Sequence, residues 1–327
     1  MDILLVLAHG IFGWGDAASS DFKRDYFYGI KPFLIERCRA KGLTPTIIAP
    51  TVSPSESIAV RGGQLESQIE KALHGMPKGT RTHVIAHSMG GLDTRWAITE
   101  GRMGDRIASL TTIGTPHRGT TIADLVLRHV KGLKSAVDLV DQLSDLAHNF
   151  TRRIQNQDAL EFYRHLISNI EQSSPGEIER GLEALTLDGV HASNQRLAGV
   201  EEEVRRRSKR RVIFFSYGGV PSHRFLRLLN ASSWRSDLSR KMLASRFALN
   251  TFGNENEKQS RNDGAVSTWS AQYPWNHDPV STFPCDHFMF LNWRVPETRP
   301  GPLPLDHGLA GFYGEIMDRI IQVEPAQ

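Results

Sequence analysis

Apolar residues along the first 120 positions form two alternating patterns. Short, nearly continuous apolar runs, which are typical of strands buried on both faces, occur at 3–8, 46–49, 82–86 and 107–113. Apolar residues at helical spacing occupy the segments between them, at 31–37, 61–73 and 89–99. Buried strands that are joined through helices pair in parallel. The pattern therefore predicts an open α/β fold, with helices on both faces of a mainly parallel sheet.

A different pattern covers residues 121–204. Apolar positions there keep a spacing of three to four through 122–143 and again through 162–170, and a Ser-Ser-Pro-Gly stretch at 173–176 interrupts them. A strand pattern returns at 212–215. The apolar stripe either packs a cap against the core or contacts lipid, and a movable lid would do both. We predict a helical cap or lid over 121–204, inserted into a core made of 1–120 and 205–327.

A serine between a predicted strand and a predicted helix carries the strongest chemical signal. The small residues Ala86 and Gly90 stand two positions before and after Ser88. Small residues there let the chain turn sharply and hold the hydroxyl above the sheet, as in a nucleophile elbow. We predict Ser88 as a nucleophile; a buried turn serine is the alternative interpretation.

A serine nucleophile needs a histidine base and an acid that orients the base, and in this architecture the acid comes first along the chain. Asp263 lies in a glycine-containing turn that we expect after a strand, and His287 lies on a predicted loop before the final helix. Taken alone, Asp263 is typical of an Asx turn and His287 of a surface loop. Their order after Ser88 favours Asp263 as the acid and His287 as the base.

Other histidines and aspartates are weaker candidates. His87 adjoins Ser88, and consecutive side chains at the end of a strand point in opposite directions. Asp286 adjoins His287, and a neighbouring residue rarely bends back to the imidazole Nδ1. His277, Asp278 and His307 have no motif around them.

Acyl transfer also needs N–H donors for the oxyanion. The residue after the nucleophile, Met89, supplies one backbone N–H. The turn after the first strand favours the N–H of Ile11 as the second, although a plain strand-ending turn has the same appearance. Four nearby aromatic residues suit an acyl pocket and core packing equally well: Trp14, Tyr26, Phe27 and Tyr28.

The composition is that of a globular protein. Hydrophobic residues make up 39% and charged residues 23%, which excludes disordered, collagen-like and coiled-coil chains. The longest apolar run is too short for a transmembrane helix. The formal charge is +3, and so small an excess argues neither for nor against an anionic partner. Two cysteines, Cys38 and Cys285, cannot form a disulfide framework, although a single bridge between them stays an alternative.

A basic run at 205–211 is of a kind that can bind nucleic acid or anionic lipid. It follows three glutamates and precedes a strand, so we favour a solvated helix end and expect no nucleic-acid partner. The apolar run at the start enters a turn and not a cleavage site, so we expect no signal peptide and a cytoplasmic protein. A secreted enzyme with its signal removed would look the same.

Several segments in the same order resemble the bacterial triacylglycerol lipases of the α/β-hydrolase superfamily, and they are spread over most of the chain. Besides the elbow, they lie at 7–13, 25–30, 60–65, 114–120, 215–219 and 262–266. The resemblance implies the α/β-hydrolase fold with a movable lid, and hydrolysis of carboxylic esters. It also implies roles for five residues: Ser88 as nucleophile, Asp263 as acid, His287 as base, and the N–H groups of Ile11 and Met89 as oxyanion donors.

Two departures from these lipases matter. Many carry a structural calcium with an aspartate two residues after the base, where this chain has Met289, and a thioether suits calcium badly. The disulfide of the secreted members is missing, because only Cys285 lies in the later part of the chain. We therefore expect no metal and no cofactor.

The sequence predicts a serine carboxylic-ester hydrolase, a lipase or esterase. We expect its substrates to be acylglycerols or other small-molecule or lipid-like esters. The lid would contact a lipid interface transiently, without stable insertion into the membrane. A thioesterase, phospholipid deacylase or acyltransferase would use the same triad. A lipid-binding protein with an inert triad is a third alternative.

Overall fold

The computed structural model describes residues 1–16, 25–131, 157–207, 212–221, 248–273, 280–292 and 307–323. A sheet of six strands lies at its centre, in the order β2-β1-β3-β4-β5-β6, with every pairing between them parallel. The strands are β1 (Asp2–Ala8), β2 (Thr44–Ile48), β3 (Arg81–His87), β4 (Ile107–Ile113), β5 (Ile213–Gly219) and β6 (Ser281–Phe283). The open parallel α/β fold that the apolar runs predict is therefore confirmed.

The described residues include ten α-helices. They are α1 (Ile30–Ala40), α2 (Ile58–His74), α3 (Met89–Thr99), α4 (Thr121–Lys131), α5 (Gln157–Gln172), α6 (Pro175–Glu183), α7 (Leu187–Arg207), α8 (Glu255–Gln259), α9 (Thr268–Ala271) and α10 (His307–Val323). Local chemistry sets several of their starts. The Ser174 hydroxyl accepts the Glu177 N–H and the Glu177 carboxylate accepts the Ser174 N–H, so a capping box begins α6.

Alternate residues of β1 belong to two separate cores. Ile3, Leu5 and Leu7 pack with residues of α1 and α10 on one face of the sheet. Leu4 and Val6 pack with residues of α2 and α3 on the other face. Because successive side chains of a strand point to opposite faces, a strand covered on both sides must be apolar throughout.

The strand order places a topological switch point between β1 and β3. The chain leaves β1 toward β2 on one side and later returns to β3 on the other. In open α/β sheets, ligands bind beyond the carboxyl ends of the strands at such a point. His9 and Ser88 directly follow these two strands, so the switch point joins the predicted oxyanion turn to the predicted nucleophile.

The described residues of the predicted cap are helical, in α4 to α7. Leu127, Ile170, Ile178 and Leu182 form a small apolar cluster with Ile11 and Phe12 packed against it. Residues 132–156, which include Leu133 to Leu143 of the predicted apolar stripe, lie outside the described residues. The division into core and cap, and any lid movement, stay predictions. None of the described helices is long and apolar enough to cross a membrane.

The prediction of a strand before Asp263 is wrong, because the short helix α8 precedes the turn that contains Asp263. The sequence pattern also missed β6, since three residues are too few to show a period. Instead, β6 gains its strand geometry by pairing with β5.

Candidate active site

Ser88 occupies a strained turn between β3 and α3. Its backbone φ is 53°, a conformation that non-glycine residues rarely adopt. The neighbouring backbone comes so close that a Cβ at Gly90 would lie 2.6 Å from the Ala8 carbonyl oxygen. Glycine is thus needed at position 90, as the nucleophile elbow predicts. The Ser88 side chain lines a cavity under the helices of the predicted cap.

Asp263 and His287, which are 24 residues apart in sequence, are hydrogen-bonded to each other. His287 Nδ1 lies 2.8 Å from Asp263 Oδ2, and both side chains are buried. The other carboxylate oxygen accepts the N–H groups of Ala265 and Val266, at 2.9 and 2.7 Å. Because an ionised carboxylate only accepts, we assign the proton of the imidazole to Nδ1, which leaves Nε2 as the acceptor. His287 lines the same cavity as Ser88.

Two glycines at the carboxyl ends of β4 and β5 leave room for this pair. A Cβ at Gly114, whose φ is 57°, would lie 3.0 Å from both Asp263 Oδ2 and His287 Nδ1. A Cβ at Gly219 would lie 2.7 Å from the Cβ of Asp263. The ends of the two strands thus hold Asp263 beside His287, although a helix and not a strand precedes Asp263 along the chain.

The weaker candidates lie elsewhere or bind other groups. Asp286 Oδ1 accepts the N–H groups of Phe288 and Met289, at 2.9 and 3.0 Å, so it caps its own loop. Burial raises the pKa of Asp286 to about 6. His277 and Asp278 lie outside the described residues, and of His307 only the backbone, at the start of α10, is described.

The loop of residues 9–13, which we call the oxyanion loop after its predicted role, packs directly against Ser88. A Cβ at Gly10 would lie 2.8 Å from the Cβ of Ser88. Ile11 lines the cavity, and Met89 is the first residue of α3. Within the described part of the chain, neither the Ile11 nor the Met89 N–H donates a hydrogen bond to another protein group. Both amides therefore remain available to an oxyanion.

Side chains from two helices hold the carbonyl groups of the oxyanion loop. Arg61 of α2 donates to the carbonyl of His9 at 3.0 Å. Asn169 of α5 donates to the carbonyl of Phe12 at 2.9 Å, and Phe12 has a φ of 58°. Sequence reasoning missed both residues. A charged residue at a buried position of the α2 pattern is the only sequence signal that could have found Arg61.

His9 is held in one neutral tautomer. Its Nε2 accepts the Val52 N–H at 3.3 Å, so its Nδ1 carries the proton and donates to the Gly10 carbonyl. Burial, and then the charge of Arg61, lower the pKa of His9 to about 3. His9 is therefore uncharged at neutral pH and acts as a fixed part of the loop.

The cavity has a volume of about 330 Å³ and an almost wholly apolar wall. Helix α5 contributes Leu166, Ile167 and Ile170, and none of the described lining residues is Asp, Glu, Lys or Arg. Of the four aromatic residues that suit either a pocket or the core, only Tyr26 lines this cavity. The other three, Trp14, Phe27 and Tyr28, are buried in the core. The wall fits a neutral hydrocarbon chain.

Met289, at the position where many bacterial lipases have a calcium-binding aspartate, does not fit that ion. The Met289 side chain packs against the apolar core on the α1 side of the sheet, and its thioether is a poor ligand for calcium. Among the described residues, no group of three His, Cys, Asp or Glu is placed to hold a metal ion. Cys38 and Cys285 are both buried free thiols.

Comparisons with known proteins agree with the motifs. No protein-family model matches the chain. The chain is 28% identical over 298 residues to a triacylglycerol lipase of Pseudarthrobacter phenanthrenivorans, over 84% of this chain and 86% of that one. It is 41% identical over 108 residues to triacylglycerol lipase 2 of Saccharomyces cerevisiae, over 32% of this chain. That match takes in only 31% of the yeast protein, and a similar one takes in 35% of a Vibrio cholerae triacylglycerol lipase.

A solved structure extends the likeness over the whole chain. Lipase 1 of Pelosinus fermentans has a TM-score of 0.58 and 17% identity, with 99% of each chain covered. At this identity the likeness shows the fold alone. The α/β-hydrolase fold and the resemblance to bacterial lipases that the motifs predict are both confirmed.

Proposed function

We propose that this chain, an α/β-hydrolase that resembles the bacterial triacylglycerol lipases, is a serine carboxylic-ester hydrolase. One observation carries the proposal: His287, which is hydrogen-bonded to Asp263, lies in the wall of the same apolar cavity that Ser88 lines. The names of the relatives support the same enzyme class.

In the proposed mechanism, the Ser88 oxygen attacks the ester carbonyl while His287 Nε2 takes the hydroxyl proton. The carboxylate of Asp263 holds the imidazole in the required tautomer and stabilises its protonated form. The N–H groups of Ile11 and Met89 stabilise the tetrahedral oxyanion. His287 then protonates the leaving alcohol, and water releases the acid from the acyl-enzyme. The residues need no metal or cofactor for these steps.

We further propose that the acyl chain of a neutral ester occupies the cavity. Burial of its methylene groups against the apolar wall would supply most of the binding free energy. A charged headgroup would find no Asp, Glu, Lys or Arg partner among the described residues that line the cavity, so we expect it to stay outside. This favours acylglycerols and similar neutral esters over substrates that place a charge in the pocket.

Hydrolysis of p-nitrophenyl esters from short to long acyl chains tests the proposal. Wild-type protein should hydrolyse them with and without a chelator, and the Ser88→Ala variant should lose at least about 10³-fold in kcat while keeping its folded circular-dichroism spectrum. The matched control is Ser168→Ala, which removes a hydroxyl that hydrogen-bonds Gln172 at the exposed surface of α5. Activity that persists in Ser88→Ala would overturn the mechanism. Faster turnover of matched thioesters, or transfer to an added alcohol in place of water, would move the assignment to a thioesterase or an acyltransferase.

A further inference from the structure

A buried chain of hydrogen bonds joins the loop of the base to the oxyanion loop. The carbonyl oxygen of His287 lies 2.9 Å from His87 Nε2. The other ring nitrogen of His87, Nδ1, lies 2.9 Å from the hydroxyl of Tyr26. That hydroxyl in turn accepts the backbone N–H of Gly10 at 3.3 Å. The residue before the nucleophile is thus bonded on both sides of its ring.

The direction of each bond follows from the chemistry of its ends. A carbonyl oxygen only accepts, so His87 Nε2 carries the proton and donates it to His287. In a neutral imidazole Nδ1 is then the acceptor, and Tyr26 must donate its O–H to it. The tyrosine oxygen still has lone pairs to accept with, and it accepts the Gly10 N–H. Each of the three donors has one acceptor, and only the neutral Nε2–H tautomer of His87 allows all three hydrogen bonds at once.

Both ends of this chain are groups whose position matters in the proposed reaction. At one end the His287 N–H donates to the carbonyl of Asp263 at 3.1 Å, so the backbone of the base is held at its N–H and at its carbonyl. At the other end Gly10 packs against the nucleophile Ser88 and directly precedes the donor Ile11. The Tyr28 N–H donates to the carbonyl of Leu291 and the Asn292 amide donates to the carbonyl of Tyr28, both at 3.1 Å. These bonds further tie the Tyr26 segment to the residues that follow His287.

We propose that His87 and Tyr26 are positioning residues that set the separation between the base His287 and the oxyanion donor Ile11. This inference rests on the proposed function. The base and the oxyanion donors act on the same tetrahedral centre, so a change in their separation costs transition-state stabilisation and leaves substrate binding largely intact. His87 uses Nε2 to donate to His287 and Nδ1 to accept from Tyr26, so its ring holds other groups in place and offers no acceptor to the Ser88 proton.

The burial of the two side chains supports this role. His87 and Tyr26 are at most 3% exposed, so water cannot replace a bond that is lost. Burial, followed by the influence of the neighbouring His287, lowers the pKa of His87 well below its ordinary value. The neutral tautomer is therefore the one present at working pH.

Three substitutions separate the contributions of the individual hydrogen bonds. Tyr26→Phe removes only the hydroxyl, and His87→Leu removes both ring nitrogens at similar size. His87→Gln restores one donor and one acceptor on an amide. The matched control is Tyr273→Phe, because the Tyr273 hydroxyl is equally buried but donates to Glu201, away from the cavity. Active-site titration normalises each rate to the concentration of competent enzyme.

We expect Tyr26→Phe and His87→Leu each to lower kcat about tenfold with KM within about twofold of wild type. The inhibition constant of a trifluoromethyl ketone with the same acyl chain should rise by the same factor as kcat/KM falls, since its adduct mimics the tetrahedral intermediate. The double variant should lose no more than the worse single variant, and His87→Gln should recover part of the loss. If His87→Leu does not fold, Tyr26→Phe and His87→Gln still decide the question.

Additive losses in the double variant, a loss confined to KM, or an equal loss in Tyr273→Phe would overturn the proposal. A further readout does not need catalysis: ¹⁵N NMR of the histidine side chains should show His87 as the neutral Nε2–H tautomer at pH 7 in wild type, as the carbonyl partner requires. The opposite tautomer would also overturn the proposal. A wild-type protein without ester hydrolysis would instead refute the proposed function, while the NMR result still reports whether the hydrogen-bonded chain exists.

Discussion

The guanidinium of Arg61 lies 2.7 Å from the carboxylate of Asp93, and both side chains are buried under the oxyanion loop. Arg61 comes from α2 and Asp93 from α3, the helix that begins after Ser88. The same guanidinium donates to the carbonyls of His9 and Gly10. One ion pair therefore joins α3 to the oxyanion loop. Burial raises the pKa of Asp93 to about 6 although Arg61 opposes this rise.

Loss of this arginine should be costly to stability. Arg61→Leu leaves the buried carboxylate of Asp93 and the buried carbonyl of His9 without their guanidinium donor, so we expect the free energy of unfolding to fall by about 3 kcal/mol. Urea denaturation followed by circular dichroism measures it. The control is Arg196→Leu on α7, because the side chains of Arg196 and its partner Glu100 are 61% and 28% exposed, so its loss should change stability little. Equal losses in the two variants would contradict the importance of burial.

Replacement of either of two neighbouring acids should separate their roles. Asp263→Asn removes the acceptor of the His287 Nδ1 proton, so kcat should fall by about 10⁴-fold on the triad model. Asp286→Asn keeps an oxygen for the N–H groups of Phe288 and Met289, and its kcat should fall far less. Steady-state kinetics on one p-nitrophenyl ester compare the two variants. The reverse order would make Asp286 the acid.

The cavity should limit the length of the preferred acyl chain. Each methylene buried is worth about 0.8 kcal/mol, so kcat/KM should rise about fourfold per methylene until the cavity is full and then level off. Ala123→Leu adds bulk to the wall and should move this plateau to shorter chains. Ala184→Leu is the matched control, because Ala184 packs in the same apolar cluster without lining the cavity. An unchanged chain-length profile in Ala123→Leu would place the acyl chain elsewhere.

The neutral state of His9 should appear as a dependence of stability on pH. In the unfolded chain a histidine takes up a proton near pH 6.5, whereas His9 in the fold does so only at about 3. The unfolded state therefore binds more protons between these values, and the contribution of His9 to stability falls as pH falls, by up to about 1.4 kcal/mol per pH unit. Measured against wild type, the instability of His9→Gln should shrink between pH 6.5 and 4. A difference that stays constant with pH would show that His9 titrates normally.

Much of this fold can be predicted from the sequence because its signals are local. The apolar runs of β1, β3 and β4 are buried on both faces, so they are continuous in sequence. The turn at Ser88 needs small neighbours at 86 and 90, and that requirement is also local. Strand order along the chain then suffices to predict an open parallel sheet with a serine at the end of one strand.

The partners of the buried polar side chains depend on tertiary structure alone. Sequence spacing ranks Asp263 above Asp286, but the contact with His287 is made where β4 and β5 end, at glycines 114 and 219. No periodic pattern encodes the pairing of Arg61 with Asp93, or of His87 with Tyr26, because each pair joins elements far apart along the chain. Apolar residues need only to be buried, so their spacing is informative by itself. A buried polar group needs one specific partner at one distance, and only the folded chain supplies it.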